Sequence, residues 1–145
     1  MYKLTAFMVL TCFACTVTGN ISQGIDGRIT CYEGDRMPGI AKPADPGRPV
    51  KREVFIYSLT NQRDAVLHHG VFYDSLKTRL VKKTMSDQEG QFAIKLPPGH
   101  YSVFIKEEKG LYANRLDGSG NINPIDVTVD RVATMDIRID YKAYY

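Results

Sequence analysis

Residues 84–105 read TMSDQEGQFAIKLPPGHYSVFI, and this stretch decides the fold. From Gln91 onward the apolar residues alternate. Phe92, Ile94 and Leu96 fall on one face, and Gln91, Ala93 and Lys95 on the other. After Pro97-Pro98-Gly99 the alternation resumes, with Tyr101, Val103 and Ile105 opposed to Ser102, Phe104 and Lys106. A period of two marks a half-buried strand, because successive side chains of extended backbone point to opposite faces. The residues between the runs are turn formers. Asp87 is placed to accept hydrogen bonds from backbone N–H groups just ahead of it, Gly90 to take a positive φ, and Phe92 to enter the core as the next strand begins. In Pro97-Pro98-Gly99, proline presets φ for the first corner of a turn and glycine is expected to supply the positive φ that follows. Tyr101 then enters the core as Phe92 does.

The same period extends in both directions. Gly24 to Tyr32 sets Ile25, Ile29 and Cys31 against Asp26, Arg28 and Thr30. REVFIYSL, from Arg52, is apolar on both faces and so belongs in the middle of a sheet covered on both sides. RLVKKTM (residues 79–85), NPIDVTVD (123–130) and VATMDIRIDY (132–141) add further strands. Glu33 to Pro49 holds four prolines and three glycines, which deny the backbone a helix or a regular ladder, so it reads as a long loop. Thr60 to Thr78 is less regular and is compatible with a short hairpin or a single helical turn. About seven short strands and no long helix predict an all-β, antiparallel two-sheet sandwich, with a closed barrel as the other architecture.

At 145 residues and 43% hydrophobic content, the chain supports one core and one domain. Its first residues place Lys3 ahead of an apolar run from Leu4 to Val17, followed by small and polar residues. That is the order of a secretory signal, and the run is shorter than the roughly 20 apolar residues of a membrane span. Residues 1–19 are therefore read as the signal and 20–145 as the domain. Cys15 follows Phe13 and Ala14, a small residue just before a cysteine, and is the candidate for lipidation. Cleavage after Gly19 with plain secretion is the other route. The expected location is periplasmic or anchored at the outer membrane. Only Cys31 lies in the folded part, so no internal disulfide is possible, and its place on an apolar face predicts a buried structural thiol. The net charge of +3 is too small to imply a nucleic-acid partner. Lys77, Arg79, Lys82 and Lys83 form the basic concentration, and they read as a solvated strand face.

Taken together, GRITCYEGDRMPG, REVFIY, TMSDQEGQFAIKLPPGHYSVFI and VTVDRVATMDIRI resemble the carboxypeptidase regulatory-like domains, a family of transthyretin-like (prealbumin-like) β-sandwiches. In that family a strand ends in a T-x-[ST]-D-x-x-G-x-F turn, matched here by Thr84 to Phe92, and L-P-x-G-x-Y joins the next pair, matched by Leu96 to Tyr101. The structural positions carried over are Asp87, Gly90, Phe92, Pro97, Gly99 and Tyr101. The resemblance implies the sandwich fold and a structural or protein-interaction role at the bacterial cell envelope; it does not imply an activity. The stretches 33–49 and 60–78 are longer than a minimal family member needs, so a private function is sought there first.

No catalytic constellation stands out. The metallocarboxypeptidases fused to some relatives bind zinc through His-x-x-Glu, and none of His68, His69 and His100 has Glu at that spacing. Hydroxyisourate hydrolase, an enzyme of similar fold, carries a histidine near its N-terminus and ends in Tyr-Arg-Gly-Ser, whereas this chain ends DYKAYY. His68 and His69 with Asp74 are adjacent on extended backbone and are expected to point apart, as exposed loop residues rather than metal ligands. DGSGNIN, from Asp117, lacks the Gly and Glu of a calcium loop and reads as a polar turn. Ser86 and Ser102 belong to turn and strand. The expectation is a non-catalytic protein without cofactor that meets an envelope protein partner. The alternative is a small-ligand or glycan carrier using Tyr32, His68, His69, Phe72, Tyr73 and Tyr112.

Overall fold

The computed structural model describes residues 20–37 and 45–145. The signal segment with Cys15, and the centre of the proline-rich loop, lie outside the described residues.

The chain is all β, built as two sheets. The strands are β1 (Gly24–Asp35), β2 (Arg48–Pro49), β3 (Glu53–Ser58), β4 (Ala65–His68), β5 (Phe72–Leu76), β6 (Leu80–Met85), β7 (Gln91–Lys95), β8 (Gly99–Glu107), β9 (Gly110–Tyr112), β10 (Pro124–Val127), β11 (Val132–Thr134) and β12 (Ile137–Tyr144). Among the described residues there are thus twelve strands rather than about seven. The surplus consists largely of pieces two to four residues long, such as β2, β9 and β11, which are strands only because a partner lies beside them. Such pieces are too short to show a period. The irregular stretch 60–78 holds both expected features, a 3₁₀ turn at Gln62–Asp64 and the β4–β5 hairpin.

β1 is the spine of the five-stranded sheet. Its first half pairs antiparallel with β7 and parallel with β11, and its second half antiparallel with β2 and parallel with β12. The parallel pairs correct the purely antiparallel expectation. They join the two ends of the domain, so the connection between them is nearly the whole chain and leaves no local signature. The seven-stranded sheet runs β4-β5-β9-β8-β3-β6, with β10 beside the first residues of β8. β3 is flanked on both sides, as its two apolar faces require.

Between the sheets lies the main core: Ile25, Ile29 and Cys31 from β1, Val54 and Ile56 from β3, Phe92 and Ile94 from β7, Val103 and Ile105 from β8, and Ile137 and Ile139 from β12. Each fully buried aliphatic side chain contributes about 1.5–3 kcal/mol relative to exposure. A second cluster covers the other face of the larger sheet. There Phe104 is completely buried beneath Tyr57 and Tyr73, each edge-on with ring centroids 5.6 Å away.

The Asp87 turn behaves as its residue types require. The Asp87 carboxylate accepts from Glu89 N (3.0 Å) and Gln91 N (2.8 Å), and Gly90 adopts φ +76°. The Asp117 turn repeats this pattern, its carboxylate accepting from Ser119 N (2.8 Å) and Asn121 N (2.9 Å) with Gly120 at φ +81°. The turn at Pro97 departs from expectation, because Gly99 does not take a positive φ. Its lack of a side chain serves Tyr101 instead. Tyr101 turns back to donate to the Pro97 carbonyl (2.7 Å), and a Cβ on Gly99 would lie 3.2 Å from the Tyr101 hydroxyl.

Two tyrosines tie the sheets together. Tyr112 of β9 crosses the core to donate to the Arg138 carbonyl (3.0 Å) of β12, and Tyr141 of β12 donates to Glu107 of β8 (2.8 Å). Glu107 also accepts from Arg52 Nε (2.5 Å), so this buried carboxylate is both paired and hydrogen-bonded.

Candidate functional site

Three of the six side chains expected to meet a ligand belong to the core, which corrects that expectation. Phe72 and Tyr112 pack in the main cluster and Tyr73 in the second, all buried. Their apolar bodies fill space between layers while the Tyr112 hydroxyl reaches a backbone partner, which is the usual solution for a buried tyrosine. Burial pushes the Tyr112 and Tyr73 hydroxyls up in pKa, Tyr112 strongly.

The other three remain partly or fully accessible; His68 lies opposite Phe72 in the β4–β5 register, whereas Tyr32 belongs to β1 in the other sheet. Tyr32 is half-buried and meets two guanidinium groups, Arg36 at 4.4 Å and Arg138 at 4.1 Å from its ring centroid. Arg36 in turn pairs with Asp45 (2.7 Å), which draws the two described ends of the proline-rich loop together. His68 and His69 occupy the tip of the β4–β5 hairpin. His69 takes φ +48°, which turns the chain out of the strand, so the two rings meet with centroids 3.8 Å apart instead of pointing to opposite faces. Asp74 Oδ2 lies 3.6 Å from His68 Nδ1. Among the described residues no group of three or more His, Cys, Asp or Glu side chains is arranged to hold a metal ion.

The remaining chemistry-bearing residues are largely engaged in scaffolding. Ser86 Oγ accepts from Arg52 N (2.8 Å) and donates to the Val50 carbonyl (2.9 Å), and Ser102 Oγ accepts from Thr60 N (2.9 Å). Both serines are buried, which suits neither to attack a substrate. Cys31 is buried and free, and burial followed by the nearby Glu33 carboxylate raises its pKa, which keeps it a thiol. His100 and Asp126 face each other across the β8–β10 pair, with Nδ1 and Oδ1 2.6 Å apart, at the rim of a hollow of about 320 Å3 that also touches Asp117. The Asp117 carboxyl is held below the usual carboxylate range, chiefly by the Asn121 backbone N–H, and its oxygens are occupied by the turn itself.

The least committed surface is the hairpin that the sequence left unresolved. Among the described residues β4 pairs with β5 on one side only and ends the seven-stranded sheet. Its Val66 and Leu67 are 54% and 55% exposed, and it carries neither lysine nor proline. The opposite end of the same sheet is β6, with Lys82 and Lys83 exposed along it, the usual means of blunting an edge against pairing. The hairpin signal was present as AVLHHGVFY, two apolar runs around His69-Gly70, where Gly70 adopts φ +79°.

No protein-family model, curated protein or solved structure matches this chain.

Proposed function

We propose that this chain is a non-catalytic, exported β-sandwich of the carboxypeptidase regulatory-like kind, acting as a protein-interaction module at the bacterial cell envelope. The observation that carries the reading is the open β4 edge, whose exposed apolar side chains and lack of a second partner strand among the described residues contrast with the lysine-bearing edge at β6. Unpaired N–H and C=O groups in a row accept an extended segment as an additional strand. The proposed occupant is an extended strand of an envelope protein with apolar residues to cover Val66 and Leu67. Covering two half-exposed aliphatic side chains adds about 1 kcal/mol each to the backbone hydrogen bonds. The signal-like order of residues 1–19 supports the envelope address.

The test is site-specific photo-crosslinking in cells, with the crosslinker in place of Leu67 or, as control, of Lys83. A discrete adduct from position 67, absent from 83 and lost in a Val66→Lys variant that folds normally, is expected. Adducts indistinguishable between 67 and 83, or none from 67, would remove the reading. The mass of the recovered chain reads the address: an acylated N-terminus at Cys15 marks an anchored protein, and a start at Asn20 a secreted one.

A further inference from the structure

β12 has β1 on one side and, among the described residues, no strand on the other. Along that free side, where the strand begins, a cleft of about 260 Å3 opens between β12 and the segment that follows β9. It is lined in part by Met135 and Ile137, both members of the main core. Asn114, Arg115 and Arg138 also line it.

Arg115 is held in an unusual way. Its N–H donates to Asn123 Oδ1 (3.1 Å) and its carbonyl accepts from Asn123 N (2.9 Å), so one residue fixes both sides of its backbone. Asn123 is itself 2% exposed, lies at φ +39° and donates from Nδ2 to the Val103 carbonyl (3.0 Å). A non-glycine residue in the left-handed region is held there by its surroundings at a cost of about 1 kcal/mol or more. Yet among the described residues the guanidinium of the arginine so placed has neither a hydrogen-bond nor an ion-pair partner. The other charges at the cleft are those of Asp136 and Arg138. Asp136 Oδ1 accepts from Arg28 N (2.9 Å), and Arg138 pairs with Asp140 (3.2 Å). Asn114 donates from Nδ2 to the Arg138 carbonyl (3.2 Å).

We infer that this cleft binds a carboxylate carried on a short apolar chain. The carboxylate meets the free guanidinium of Arg115, whose fork matches its two oxygens, and the chain lies over Met135 and Ile137. A free short-chain acid and the C-terminus of a peptide share this chemistry. The site is separate from the β4 edge, so it stands or falls independently of the interaction reading.

The test is titration of the 15N-labelled protein with hexanoate, with hexanamide, and with acetyl-Ala-Leu as free acid and as amide. Saturable shifts at Arg115, Asn123 and Ile137 are expected with one or both acids and with neither amide. Response to hexanoate assigns a free acid, and response to the peptide acid alone assigns a chain terminus. Arg115→Gln should weaken acid binding about tenfold or more, and Arg115→Lys less, while the exposed position leaves the folded spectrum otherwise unchanged. Equal binding of acids and amides, undiminished binding in Arg115→Gln, or no saturable shift with either acid overturns the inference.

Discussion

Gly90 shows how much of this fold depends on a single missing side chain. Its φ of +76° lies where an L-residue is strained, and a Cβ there would sit 2.3 Å from the carbonyl oxygen of Ile29, whose own N–H donates to Gly90 O (2.8 Å). The two costs can be separated with other glycines. Gly34 has φ +80° but open space around it, and Gly118 has open space and no positive φ. Alanine substitution should therefore cost almost nothing at Gly118, about 1 kcal/mol at Gly34, and about 2–4 kcal/mol at Gly90, where backbone must also move. Urea midpoints of the three variants check the order. If Gly34→Ala and Gly90→Ala shift equally, the close approach to β1 contributes nothing. Asp87, Gly90 and Phe92 were legible because turn chemistry is local. Gly99 was misread for the same reason: its role depends on the Tyr101 ring folding back over it, and the dipeptide itself does not disclose that.

At the scale of elements, the D-x-x-G-x turn occurs twice with one hydrogen-bond pattern and two settings. Between β6 and β7 it carries the chain from the larger sheet to the smaller, whereas at Asp117 it closes a loop around residues already bridged at Leu116 and Ile122. Asp87→Ala removes both side-chain bonds at a crossing between layers and should lower stability by about 1–2 kcal/mol. Asp117→Ala should give the smaller shift of the two, with faster amide exchange confined to Ser119 and Asn121. Because the folded Asp117 carboxyl has a lowered pKa, its contribution is present above the unfolded carboxylate value of about 3.9 and is lost as pH falls through the folded one. Protection of the Ser119 and Asn121 amides, taken relative to the intrinsic exchange rate at each pH, should accordingly fall on acidification in the wild type and show no such fall in Asp117→Ala. An equal loss of global stability in both variants contradicts the distinction.

For the whole molecule, the union of the sheets rests partly on tyrosine hydroxyls that must stay protonated. Burial raises the pKa of both Tyr112 and Tyr141, and for Tyr141 the hydrogen bond to Glu107 raises it further. An unfolded tyrosine titrates near about pH 10. The unfolded chain therefore loses these protons first, so the contribution of the two hydroxyls is level below about pH 10 and falls as pH rises toward the folded values. Urea midpoints taken from about pH 8 to about pH 11 should show this decline, and Tyr112→Phe should flatten it at a cost near 1 kcal/mol at neutral pH. A decline equally steep in that variant would assign the alkaline sensitivity elsewhere.

What the sequence determined by itself was whatever a short segment encodes. The period-two strands, the Asp87 turn, the buried Cys31 and the doubly covered β3 follow from residues within a few positions of one another, and together they specify an all-β sandwich. The tertiary structure alone decided which strand lies beside which. It set β12 parallel to β1, made strands of β2, β9 and β11, drew Phe72, Tyr73 and Tyr112 inward, and left β4 and one side of β12 without a partner strand among the described residues. The physical reason is that pairing and burial depend on contacts between residues far apart in the chain. The candidate surfaces of this protein, an open edge and a cleft beside a free strand, are places where such contacts stop, and a local pattern carries no record of them.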